Sequence, residues 1–137
     1  REMGDPPEPD MIDHLSLGTT DLARASSFYD ALLQPLGVVR VWSVSDGVGY
    51  GLPGGGDKLA IKLRPGARPP GAGAHVAFTS RSRAGVDEAY RAGLAAGGEA
   101  DGGPGPRPHY GPGYYAAFLI DPDGHRIEIV FHEPPAS

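Results

Sequence analysis

The second half of the chain repeats the first at a constant offset of 61 residues, and this repeat constrains the fold more than any other feature. In each half, a strand-like segment precedes a helical stripe of apolar residues, and a glycine follows the stripe. Identical residues occupy matching places in the two halves: His14 and His75, Tyr29 and Tyr90, Leu33 and Leu94, Gly37 and Gly98. Such a repeat indicates that each half is one supersecondary unit. We therefore predict an α+β fold of two βαβββ modules, which form a curved mixed sheet around a cleft.

Breaks in the apolar pattern divide the chain into modules, a linker and tails. Residues 1–10 are polar and rich in proline, and the stretch RPGARPPGAG separates the two halves. A further Gly/Pro-rich stretch, residues 101–113, is predicted to be a loop that acts as a mobile lid. Thr20 and Ser82 are the predicted N-caps of the two helices. The predicted organisation is a flexible N-terminal tail (1–10), a first module (11–63), a linker (64–73), a second module (74–132) and a C-terminal tail (133–137).

Composition excludes several classes of function. The 137 residues include no cysteine, which removes disulfides, thiolate catalysis and zinc sites built on cysteine. The formal net charge is −5 and like charges do not cluster, so we expect neither nucleic acid nor an anionic membrane as a partner. No apolar stretch approaches the roughly 18 residues of a membrane span. No signal peptide is recognised, so the predicted location is cytoplasmic.

Side-chain alternation along three predicted strands places His14, His75 and Glu128 on one face. The flanking apolar residues of these strands are expected to pack against the helices, so the three polar side chains point into the cleft. Two imidazoles and one carboxylate form a facial triad that binds a divalent metal such as Mn²⁺, Fe²⁺, Zn²⁺ or Ni²⁺ and leaves coordination positions open. In the first module, Ala60 is predicted at the place that matches Glu128, so this module supplies no fourth ligand.

Other residues are candidates for substrate binding. Trp42 and Tyr50 lie on predicted central strands of the first module, where they either stack on a planar substrate or pack in the core. Arg126 shares the parity of Glu128 and is a candidate for binding an anionic substrate or for pairing with an acidic side chain. His125, in the DPDG turn, is predicted to be solvated.

Three strings of the sequence resemble the vicinal oxygen chelate superfamily, which contains glyoxalase I, extradiol dioxygenases, fosfomycin-resistance proteins and bleomycin-resistance proteins. They are IDHLSLGTTDLARASSFYDALLQPLG, AHVAF and HYGPGYYAAFLIDPDGHRIEIV. The resemblance implies the glyoxalase/bleomycin resistance/dioxygenase fold, with a metal held by the first and last strands of each module. His14, His75 and Glu128 stand at three of those places. Ala60 stands where glyoxalase I has its fourth ligand, so the pattern is closer to extradiol dioxygenases and fosfomycin-resistance transferases.

The resemblance also suggests a function and further site residues. Extradiol enzymes usually carry a His–Tyr acid/base pair, for which His109 and Tyr115 are the catalytic candidates, while Tyr110 is assigned to substrate binding. The predicted function is a metal-dependent lyase, isomerase or dioxygenase-like enzyme that acts on a small substrate chelated to a divalent metal. The alternative is a bleomycin-resistance-type protein that binds a drug without catalysis. Single-chain members of this size commonly pair, so we expect a homodimer, with a site formed within one chain or across both.

Overall fold

The computed structural model describes residues 10–136, within which the chain folds into two consecutive βαβββ modules. The first module consists of β1 (Leu15–Thr19), α1 (Leu22–Leu33), β2 (Val39–Val44), β3 (Gly47–Gly51) and β4 (Leu59–Leu63). The second consists of β5 (Val76–Thr79), α2 (Arg83–Ala95), β6 (Glu99–Pro106), β7 (Tyr114–Ile120) and β8 (Arg126–His132). The predicted α+β fold of two βαβββ modules is confirmed. The predicted N-terminal tail lies outside the described residues apart from Asp10, as does the last residue of the C-terminal tail.

Local capping residues determine where the helices begin and end. The Ser82 side chain accepts a hydrogen bond from the backbone N–H of Gly85 and caps α2, as predicted. The predicted cap of α1 is wrong by one residue, because Asp21 rather than Thr20 accepts the bond from a backbone N–H of the first turn. A 3-10 turn at Gln34–Leu36 extends α1, and Gly37 ends it with a φ of 78°, which only glycine adopts without strain.

Within the described part of the chain, each module forms a four-stranded sheet of its own. The strand orders are β1-β4-β3-β2 and β5-β8-β7-β6, so β1 and β5 are edge strands. Each edge strand is parallel to its neighbour, and in that register Ser16 lies beside Ala60 while Ala77 lies beside Glu128. Ser16 and Ala77 are equivalent in the repeat, which confirms that Ala60 occupies the place of Glu128 in the first module.

The two helices pack against each other and join the modules through one hydrophobic core. Phe28, Tyr29 and Leu32 of α1 are fully buried in this core. Gly93 of α2 faces them, and a Cβ at this position would lie 2.9 Å from Cδ1 of Leu32. Glycine therefore permits the close approach of α2 to α1, and this contact fixes how one module sits on the other.

The turn between β7 and β8 fastens the second module to the first. The buried carboxylate of Asp121 accepts a hydrogen bond of 2.5 Å from the Tyr29 hydroxyl, and its other oxygen accepts from the backbone N–H of Asp123. Asp123 in turn accepts a bond of 2.8 Å from the Arg24 guanidinium of α1. Burial and the nearby Asp121 carboxylate raise the pKa of Tyr29 well above its ordinary value. The phenol therefore remains a donor throughout the neutral range.

His125 also connects the second module to the first, and the prediction that it is solvated is wrong. The residue is 4% exposed, and its Nε2 lies 2.9 Å from the carbonyl oxygen of Gly18 at the end of β1. An Asp-Pro-Asp-Gly sequence usually indicates a surface turn. Here the turn is covered because the other module packs on it.

The predicted loop at 101–113 is wrong over its first half, because residues 101–106 belong to β6. This strand pairs with β7 through two register shifts, which accommodate its glycine and proline residues. The Arg107 guanidinium donates to the carbonyl oxygens of Gly103 (2.7 Å) and Gly105 (2.9 Å). The Arg107 side chain thus stabilises a strand whose glycines have no side chains to make such contacts. Among residues 10–136, no helix is long and apolar enough to cross a membrane.

Candidate active site

Glu128 is the centre of the candidate site. Its apolar neighbours Ile127 and Ile129 enter the core, so alternation along β8 turns Glu128 to the face of the sheet that carries no helix. Ala77 and Phe118 flank it on the adjacent strands, and the residue is only 3% exposed. A buried carboxylate requires polar partners, because the desolvation of an unpaired charge is costly.

Each oxygen of the Glu128 carboxylate has its own hydrogen-bond partner. Nε2 of His75, the residue just before β5, lies 3.0 Å from Oε1. The Tyr114 hydroxyl, at the start of β7, donates to Oε2. Burial, and then the hydrogen bond to Glu128, raise the pKa of Tyr114 to about 12. The phenol therefore stays protonated near neutral pH and keeps donating to Oε2.

The strand alternation that predicts Glu128 also identifies Tyr114, which is not among the candidate residues predicted above. Along β7, Tyr115, Ala117 and Leu119 belong to the hydrophobic core, so Tyr114 must face the opposite side. The hydroxyl of Tyr115 donates to Asp87 of α2 at 2.7 Å. The structure thus places this predicted catalytic residue on the helix side of the sheet, away from Glu128.

Aromatic rings form one wall beside the carboxylate. The ring centroid of Tyr110 lies 5.2 Å from that of Tyr114, and His132 packs edge-on against Tyr114 at 5.0 Å. His109, the second catalytic candidate, is exposed and packs against Tyr110 at a tilt of 42°, with a centroid distance of 4.1 Å. The predicted substrate-binding residue Tyr110 therefore lines the site, and His109 reaches it only through the Tyr110 ring.

A cavity of about 330 Å³ connects these groups with solvent. Its lining includes His75, Glu128 and the rings of Tyr110, Tyr114 and Phe118. Arg126 stands in the same lining and forms an ion pair with Asp101, with 2.8 Å between Nη1 and Oδ2. The site thus combines a buried carboxylate, an imidazole, aromatic surface and one cation at its mouth.

His14 does not join this pair within one chain. It precedes β1 in the other sheet, its side chain is 49% exposed, and its Nδ1 lies 2.7 Å from Oδ2 of Asp13. In the part of the chain that the structure describes, no three His, Cys, Asp or Glu side chains form a group that could hold a metal ion. Of the three predicted ligands, the structure brings His75 and Glu128 together and leaves His14 apart.

Of the two aromatic candidates of the first module, only Trp42 lies on the open face, and its strand β2 is an edge strand rather than the predicted central strand. Its indole covers Gly47 and Gly49 of β3, and a Cβ at Gly49 would lie 2.1 Å from the indole Nε1. Tyr50 is 1% exposed in the core, and its hydroxyl donates to Asp30 of α1 at 2.8 Å. Tyr50 therefore packs in the core, which is one of the two alternatives predicted for it.

The donor set fits a metal ion in part. Imidazole nitrogen and carboxylate oxygen are suitable ligands for first-row divalent ions. His75 and Glu128 meet within one cavity, with 3.0 Å between Nε2 and Oε1. An ion bound to both atoms would take the place of this direct contact. Two protein donors are fewer than the three that open metal sites usually have. A complete site therefore needs a donor from outside this chain's own second module.

Comparison with known proteins identifies the class. Residues 11–129 match the Glyoxalase/Bleomycin resistance protein/Dioxygenase superfamily, and the chain belongs to this family. The resemblance seen in the sequence is thereby confirmed. A search of curated proteins found no significant match.

Solved structures share the fold. A glyoxalase/bleomycin resistance protein from Albidiferax ferrireducens T118 is 32% identical, with a TM-score of 0.77 over 91% of this chain and 100% of that chain. A glyoxalase-related enzyme from Fulvimarina pelagi is 26% identical, with a TM-score of 0.69 over 90% and 88%. The genomically encoded fosfomycin resistance protein FosX from Listeria monocytogenes is 20% identical, with a TM-score of 0.66 over 92% and 96%, and shows the fold alone.

Proposed function

We propose that this protein is a metal-dependent enzyme that acts on a small substrate whose oxygen atoms chelate a divalent ion. The contact between His75 and Glu128 in a cavity of about 330 Å³ carries this proposal. The reaction belongs to the lyase, isomerase or dioxygenase-like chemistry that the superfamily name covers. Mn²⁺, Fe²⁺, Zn²⁺ and Ni²⁺ all suit a site of imidazole and carboxylate donors.

The residues of the second module that line this site have different proposed roles. His75 and Glu128 hold the ion, which when bound supplies Lewis-acid polarisation of a substrate oxygen. Arg126 stands at the cavity mouth and attracts an anionic group of the substrate, in exchange for its pairing with Asp101. Tyr110 provides ring surface along one wall.

The third ligand in this proposal is His14 of the partner subunit in a homodimer. Within one chain, the packing of α1 on α2 and the buried bond between Tyr29 and Asp121 hold the modules with their helices together. Reorienting the modules to bring His14 to Glu128 would break both. A second copy avoids this cost, because its half-exposed His14 can approach His75 and Glu128 from outside the chain.

Exposed apolar residues around His14 support the proposal that a partner subunit covers this part of the surface. Met11 is 95% exposed and Ile12 53%, and Leu15 of β1 is also exposed. Three large apolar side chains flanking one histidine form a surface that a partner subunit would bury. The homodimer, the small-molecule substrate and the cytoplasmic location stay predictions.

Trp42 is the proposed substrate platform of the first module. Because glycine occupies both positions beneath it, the indole lies flat on β3 and offers a face to a planar group. In the proposed dimer, the open face of one first module faces the second module of the partner. The platform would then stand opposite the carboxylate of Glu128.

A second candidate function is the binding of a drug without catalysis. The observation in its favour is that each oxygen of Glu128 already has a hydrogen-bond partner, in His75 and Tyr114. The carboxylate is therefore satisfied by the protein alone, and the aromatic wall is a suitable surface for a planar or cationic ligand.

A comparison of metal binding between the wild type and Glu128→Gln distinguishes the metal-dependent enzyme from the drug-binding protein. The wild type, purified without chelator and then loaded in turn with the four metals, should bind at least one ion per chain. Glu128→Gln should bind it more than about 100-fold more weakly, because even changes outside the ligand sphere cost roughly 10–100-fold. Glu88→Gln, the same substitution at an exposed position on α2, serves as the control.

Isothermal titration calorimetry and elemental analysis give the affinity and the stoichiometry. Equal affinity of the wild type and Glu128→Gln for all four metals would refute the metal site. The drug-binding function would then be the better description of the cavity.

A further inference from the structure

The two oxygens of the Glu128 carboxylate are not equivalent. Oε1 faces His75 at 3.0 Å, and Oε2 accepts from the Tyr114 hydroxyl. The contact with His75 cannot persist when both groups bind one ion, because the Nε2 lone pair then points to the metal. The bond from Tyr114 involves the other oxygen and has no such conflict.

The Tyr114 ring is held in place from several sides. His132 packs against it edge-on, Tyr110 lies at a centroid distance of 5.2 Å, and the residue begins β7 opposite His132 in the sheet register. A phenol whose ring is fixed in this way keeps its oxygen within hydrogen-bond reach of Oε2. Its hydroxyl therefore acts as a permanent partner of Oε2, whatever occupies the space beside Oε1.

We infer that Tyr114 is a positioning residue that reserves Oε2 of Glu128, so that the carboxylate offers a divalent metal Oε1 alone. This inference rests on the proposed metal site and adds how its ligand is presented. A carboxylate free at both oxygens can bind an ion in bidentate fashion. Each extra protein oxygen fills a coordination position that would otherwise hold water or a chelating substrate. Tyr114 thus keeps a position open for the substrate.

Water-proton relaxation by bound Mn²⁺ tests this directly, since it reports the number of exchangeable waters on the ion. In Tyr114→Phe, Oε2 loses its donor and turns to the metal as a second ligand. At Mn²⁺ concentrations that saturate each protein, the variant should show a lower relaxation enhancement, equivalent to the loss of about one coordinated water from an octahedral ion.

Tyr115→Phe is the matched control. It removes the same hydroxyl from the adjacent residue, whose partner is Asp87 on the helix side of the sheet. Its Mn²⁺ relaxation should equal that of the wild type. A merely structural loss of one tyrosine hydroxyl would leave the count of metal-bound waters unchanged in both variants.

The binding isotherm, recorded first, separates the possible failures. If the wild type binds no Mn²⁺, the role of Tyr114 is refuted, and the metal site is refuted as well if Fe²⁺, Zn²⁺ and Ni²⁺ also fail to bind. If the wild type binds but Tyr114→Phe has the same relaxation enhancement, only the role of Tyr114 is refuted. Loss of binding in Tyr114→Phe would also overturn the inference, because the hydroxyl would then be required for the site rather than restricting it.

Discussion

A dimer assembled from one His14→Ala chain and one Glu128→Gln chain should recover half of the wild-type metal sites. In the proposed homodimer, each of the two symmetric sites takes His14 from one subunit and His75 with Glu128 from the other. One site of the mixed dimer then contains both substitutions, and the other contains neither. Each variant alone should have no intact site.

Both variants are expected to fold, which makes the comparison valid. The His14 side chain is half-exposed and precedes β1, so its removal creates no cavity in the core. Glutamine at position 128 keeps the shape of the side chain and an oxygen that accepts from Tyr114. The substitution removes the one negative charge among the three proposed ligands.

Co-expression with two different affinity tags allows the mixed dimer to be purified, and metal content per dimer is then measured. A second mixed dimer, His75→Ala with Glu128→Gln, is the control. Both of its substitutions lie in the second module, so no exchange of modules restores a site. If the first mixed dimer binds as little metal as this control, the cross-chain site is wrong.

Two further predictions concern the packing between the modules. Tyr29→Phe should lower the free energy of unfolding by about 1–3 kcal/mol, because it leaves Oδ2 of the buried Asp121 carboxylate without its donor. Since Tyr29 has a raised pKa in the folded state, its contribution is fully present below pH 10 and is lost as pH rises further. Urea titrations at pH 8 and above pH 10 should therefore show a smaller difference at the higher pH. Gly93→Ala should cost about 1–3 kcal/mol in the same assay, because its Cβ would lie 2.9 Å from Leu32.

The sequence predicted the pairing of His75 with Glu128 because strand alternation is local and strict. Once Ile127 and Ile129 are assigned to the core, Glu128 must face the other side of the sheet. The same rule applied to β7 would have found Tyr114. The candidates Tyr115 and His109 come instead from the resemblance to extradiol enzymes, which does not specify the face of the sheet on which a side chain lies.

Other features could not be read from a local pattern. β6 contains five glycine and proline residues in its eight positions, EADGGPGP, and it is a strand only because β7 pairs with it and Arg107 bonds to its carbonyl groups. His125 is buried because another module covers its turn. The contact of His125 comes from a residue 107 positions away in the chain, and β6 depends on backbone pairing with β7. A local sequence pattern contains neither.

The placement of His14 shows what a repeat can and cannot predict. His14 and His75 stand at equivalent places, each just before the edge strand of its sheet. Equivalent side chains would meet in one cleft if β1 of one module lay beside β5 of the other. Within a chain, the helices occupy the space between the modules, and the register of each sheet leaves Ala60 where the other module has Glu128. If His14 is a ligand, as proposed, its own chain does not bring it to the other two, and a two-fold pair of chains is the simplest arrangement that would.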